Sequence, residues 1–161
     1  MKRVFITFLI ILTDLLHAED PGKEAIGTLS VELIYATNTS LEKIGSHGKK
    51  LSSEDEKKIR SIKKLRFEKY LSMGTETPKI LRGYECWATP LRPSKEMLIS
   101  FEPLSREGDN KLQMVLEYWQ SKRKLFRTNP TLVKDKPLYL LGPKLRGGRV
   151  ILKLKLLELT E

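Results

Sequence analysis

From Gly27 the chain alternates with a period of two: Leu29, Val31, Leu33 and Tyr35 against Thr28, Ser30, Glu32 and Ile34. That period, with β-branched and aromatic members, predicts a strand. Residues 37–51 are rich in Asn, Thr, Ser, Gly and Lys and read as a loop. The period then changes. Ser53 followed by Glu56 fits a capping box, and Asp55 and Glu56 suit the positive end of a helix. Ile59, Ile62, Leu65, Phe67 and Tyr70 form an apolar stripe, with Lys and Arg on the other faces. The spacing predicts an amphipathic helix over residues 53–71, closing near Gly74, laid across a sheet with its basic side in water. A basic helix on an anionic surface is the other reading, but the stripe is narrow and aliphatic.

Beyond Pro78 the helical period is gone. Residues 79–89 read as a strand ended by Pro90 and Pro93. Met97, Ile99 and Phe101 alternate in a second, and Leu112, Met114, Leu116 and Tyr118 in a third, with residues 103–111 as the turn between them. Short strands follow at residues 124–128, 131–133 and 138–141. Gly142-Pro143 and Gly147-Gly148 bracket another turn. Val150, Leu152, Leu154 and Leu156 mark the clearest strand. The fold expected is mainly β, with α+β as the alternative. It is an antiparallel β-sandwich or curled sheet of about seven strands, with one amphipathic helix inserted after the first strand.

The N-terminus has its own pattern. Lys2 and Arg3 precede a run of ten apolar or neutral residues at 4–13, and Ala18 precedes a polar stretch. This is the layout of a signal peptide, cut after Ala18. Asp14 and Leu16 depart from the ideal. A retained anchor is the rival reading, but a span needs about 20 apolar residues, and a central Asp costs about 2.5–3.5 kcal/mol. No Cys follows the segment, which argues against lipid attachment. The domains expected are a signal peptide at 1–18 and a single β-rich domain at 19–161, exported to a periplasmic or extracellular space, with no membrane span once the signal is removed.

Charge narrows the partners. Losing Lys2, Arg3 and Asp14 takes the net charge from +10 for the 161 residues to +9. Such a surface favours anionic partners. Export argues against nucleic acid and towards an envelope protein partner, an anionic polymer or a lipid headgroup. The plainer reading is that the cations solvate the sheets and blunt their edges.

Catalytic side chains are scarce. Cys86 is the only cysteine and reads as a small buried hydrophobe on a strand. After signal removal His47 is the only histidine, in a Gly-flanked loop, a poor position for a catalytic base. No zinc or calcium spacing, nucleophile elbow or P-loop is present. Glu85, Glu102 and Glu117 fall on expected strands, with no spacing that marks a carboxylate pair.

Two segments carry binding chemistry. Gly142 to Arg149 combines glycines, whose backbone N–H groups can cradle an anion, with Lys144, Arg146 and Arg149. Tyr118 to Arg127 interleaves Trp119 with Lys122, Arg123 and Lys124, a mixture that stacks rings and holds anions. Trp87 and Trp119 are the expected aromatic platform. The second half, with PLRPSKEMLISFEP and LGPKLRGGR, resembles small exported bacterial proteins. That resemblance implies no activity.

The function expected is therefore a non-enzymatic, cofactor-free binding or assembly module of the bacterial cell envelope. The alternatives are an anionic polymer or lipid-headgroup binder through the six cations, and a hydrolase with unidentified residues.

Overall fold

The computed structural model describes residues 20–41, 48–88 and 97–160. The signal-type segment and His47 lie outside the described residues. Eleven strands are present among the described residues: β1 Ala25–Thr37, β2 Lys49–Lys50, β3 Lys69–Glu76, β4 Lys79–Leu81, β5 Cys86–Ala88, β6 Met97–Glu107, β7 Lys111–Gln120, β8 Arg123–Thr128, β9 Thr131–Val133, β10 Leu138–Leu145 and β11 Gly148–Leu159. The helix α1, Ser53–Ser61, follows β2.

All pairings are antiparallel. The first sheet runs β10-β11-β1-β3-β2, with β4 also on β1. The second runs β5-β6-β7-β8, with β9 also on β7. The fold is thus mainly β, as the period-two pattern implies. More strands are present than the seven expected, because bends divide long runs and two-residue pairings escape any periodicity. The expected strand over 79–89, for instance, is β4 and β5 separated by a bend.

The two sheets face each other across one apolar core. Leu29, Val31, Leu33 and Tyr35 of β1 and Val150, Leu152, Leu154 and Leu156 of β11 come from one side. Ile99 and Phe101 of β6 and Leu112, Met114, Leu116 and Tyr118 of β7 come from the other. Alternation explains this set, since every second residue of a strand faces the same way.

The outer face of the first sheet is also covered. Ile34, Ala36, Tyr70 and Ile151 pack against Ile59 of α1 and Leu65 of the 3-10 turn at Lys63–Leu65. The helix is shorter than its stripe implies. Its N-cap is Ser52, whose hydroxyl accepts from the Asp55 N–H at 3.1 Å. It ends because Ile62 turns extended. Arg60 then ties down the exit, donating to the carbonyls of Phe67 and Glu68 at 2.8 and 2.6 Å. Tyr70 belongs to β3, and Gly74 lies within that strand rather than closing the helix.

One ion cluster fastens α1 to the sheet. Lys153 Nζ lies 2.7 Å from Asp55 and 3.1 Å from Glu32, with all three side chains at least four-fifths buried. Burial alone would raise the Asp55 pKa, but hydrogen bonds from Lys153 and Ser52 hold it below its ordinary 3.8. Burial pulls Lys153 down, and its two carboxylate partners more than reverse that. Asp55 therefore contributes stability above its ordinary pKa, and that contribution is lost as pH falls through the lowered value. Lys153→Met is expected to cost about 2 kcal/mol near neutrality, less than the 3–5 of a fully buried pair. Urea unfolding at falling pH checks this, since the gap from wild type should shrink in acid as Asp55 protonates.

Candidate functional site

Among the described residues no helix covers the outer face of the second sheet, and that face carries a groove. Its floor is a row across four strands: Trp87 pairs with Ser100, Ser100 with Glu117, and Glu117 with Arg127. Glu85 and Glu102 line the same groove, whose volume is about 460 Å³.

Glu117 organises one wall. It accepts from Lys124 Nζ at 2.8 Å and from the Trp119 indole N–H at 3.2 Å, and lies 3.7 Å from Arg127. The Lys124 hydrogen bond leads in holding its carboxyl below the usual range, against the pull of partial burial. Trp119 packs on Trp87, with ring centroids 6.1 Å apart and planes tilted by 47°. The Lys124 ammonium sits 5.2 Å from the Trp119 ring centroid. Trp119 is thus held by neighbours, while Trp87, 41% exposed, presents its indole outward. The two tryptophans singled out in the sequence do meet, and the three strand glutamates share their groove.

The six cations divide between two hairpins. Arg106 donates to the Thr160 carbonyl at 2.6 Å, and the Asp135 N–H to the Leu156 carbonyl at 2.9 Å. These bonds bring the start of β7 beside the end of β11. The antiparallel registers place the β7–β8 and β10–β11 hairpins at the ends of those strands away from these bonds. Lys122, Arg123 and Lys124 belong to the first, and Lys144, Arg146 and Arg149 to the second. Lys124 is committed to Glu117.

Both hairpin tips use left-handed backbone. Arg146 and Gly147 have φ of 45° and 87°, the requirement of a tight two-residue hairpin turn. Ser121 and Lys122, at 49° and 65°, meet it without glycine. A side chain there costs about 1 kcal/mol. Lys122→Gly is therefore expected to raise stability by about 1 kcal/mol, read from thermal unfolding.

The second hairpin borders another groove of about 490 Å³, lined by Lys144, Arg149, Gly147, Gly148, Asn38, Thr39 and Phe67. Lys144 and Arg149 are direct cross-strand partners. Neither has a carboxylate within ion-pair distance among the described residues, and the buried Arg149 Nε has no hydrogen-bond partner among them. Like charges placed opposite one another repel. Asn38 Oδ1 accepts from the Glu68 N–H at 2.9 Å, which leaves its amide hydrogens as donors. Gly148 has no room for a side chain, because a Cβ would lie 2.4 Å from the Tyr35 ring.

Sequence reasoning missed Asn38, Thr39 and Phe67, which reach Lys144 and Arg149 only through the pairing of β1 with β11. It also missed Ser100, which no motif distinguishes. Cys86 is buried, accepts from the Leu81 N–H at 3.3 Å, and has a pKa raised mainly by burial, the profile of a packing residue. Among the described residues no group of three or more His, Cys, Asp and Glu is placed to hold a metal ion. Among the described residues no helix is long and apolar enough to cross a membrane. In comparisons with known proteins, no family model, curated protein or solved structure matches the chain.

Proposed function

We propose that this protein is an exported, non-enzymatic binding module that holds an acidic polysaccharide of the cell envelope at its basic end. The observation that carries the reading is the Lys144–Arg149 cross-strand pair beside the Gly147-Gly148 backbone. Two like charges facing each other, with no carboxylate partner among the described residues, are relieved by an anionic group seated in their groove. The β7–β8 hairpin adds Lys122 and Arg123, so successive anionic groups of one chain can be engaged. Export rests on the N-terminal pattern, and it favours envelope polymers over nucleic acid.

Retention of the full chain on immobilised alginate, with immobilised dextran as the neutral control, tests this. Retention on alginate and release by added salt is expected. Equal behaviour on both matrices contradicts the proposal. Should the protein instead be recovered from envelope extract in a salt-resistant complex with another protein, the assembly reading takes its place.

A further inference from the structure

We infer that the open groove on the second sheet is a separate binding site for a neutral saccharide segment, stacked on Trp87 and anchored by Ser100. Four observations point there. Trp87 offers an exposed indole at the rim, and the C–H face of a sugar ring packs on such a surface as other flat groups do. Ser100 lines the groove floor with a hydroxyl, a group that both donates and accepts. Glu85 and Glu102 line the same groove without an ion-pair partner among the described residues, and carboxylates are acceptors for the hydroxyl donors a sugar carries. The volume, about 460 Å³, is that of a small-ligand site.

The charge balance decides the ligand class. The groove is lined by three glutamates and by Arg127, with Lys124 adjoining, and both cations are taken up by Glu117. An anionic ligand would face Glu85 and Glu102 unscreened, so the acidic polymer of the basic end is disfavoured here. A purely apolar ligand would leave Ser100 and both carboxylates desolvated. A ligand with many hydroxyls and no charge satisfies the donors and acceptors present.

Tryptophan fluorescence of the full chain, titrated with maltohexaose, cellohexaose and chitohexaose, tests this. The expected result is a saturable emission change with at least one of the three, unaffected by added salt. Trp87→Ala should weaken it about tenfold, Trp87→Tyr should keep most of it, and Ser100→Ala should reduce it several-fold with thermal unfolding near wild type. Arg146→Glu with Arg149→Glu should leave it unchanged, which separates this site from the basic end. Absence of a response to all three up to millimolar concentration overturns the inference. So does undiminished binding by Trp87→Ala, or a salt-sensitive response to choline in place of any saccharide, which would make the groove a cation site.

Discussion

Phe101→Ala is expected to destabilise the protein by about 3–5 kcal/mol, the cost of emptying a large aromatic site in a packed core. Phe101 is 1% exposed and sits among the inner residues of both sheets. It also lies beneath the groove of the second sheet, whose lining it reaches. The midpoint of thermal unfolding should fall by roughly 10 °C or more. Trp87→Ala removes a larger side chain but an exposed one, and should cost about 1 kcal/mol. The contrast is informative because both residues are aromatic and lie on neighbouring strands. Comparable losses from the two would mean that the outer face of the second sheet is packed against something, and that the groove is not open.

Arg146→Glu combined with Arg149→Glu is expected to weaken binding to an acidic polysaccharide by about a hundredfold at low salt. Each reversal removes one attraction and adds one repulsion, and an exposed charge contact of this kind is worth about 0.7 kcal/mol. The two residues differ in role. Arg146 stands at the hairpin tip in left-handed backbone, while Arg149 faces Lys144 across the strands. Arg149→Glu alone should therefore form a cross-strand pair with Lys144 and raise stability slightly while lowering affinity. A drop in stability with affinity unchanged would assign Arg149 a packing role only.

The sheets were legible where the pattern is local. Strand β11 stands out because Val150, Leu152, Leu154 and Leu156 all face the core. The end of α1 was not legible, because the stripe continues through Leu65 while the chain is drawn away by Arg60 and by Tyr70 on β3. Residues 103–107 read as a turn because of Pro103, yet β6 passes through it with a register shift between Pro103 and Ser105. Likewise β10 carries Gly142-Pro143 inside an edge strand, where a missing N–H is tolerated.

For the sites, residue type pointed to Trp87, Trp119 and the six cations, but their neighbours depend on register. The row Trp87–Ser100–Glu117–Arg127 draws one residue from each of four strands, and no spacing along the chain encodes it. The cations looked like solvated edges of separate strands. What the fold adds is the cross-strand pair of Lys144 and Arg149, without a carboxylate partner among the described residues.

That pair makes salt dependence the most direct test of the central claim. The affinity of the full chain for alginate should be measured across a series of salt concentrations. With five cations free of Glu117, counterion release predicts a slope of about −3 to −4 in a plot of log affinity against log salt, and a clearly smaller slope for the Arg146→Glu, Arg149→Glu variant. A flat line for the wild-type protein, or identical slopes for the two, would contradict the account.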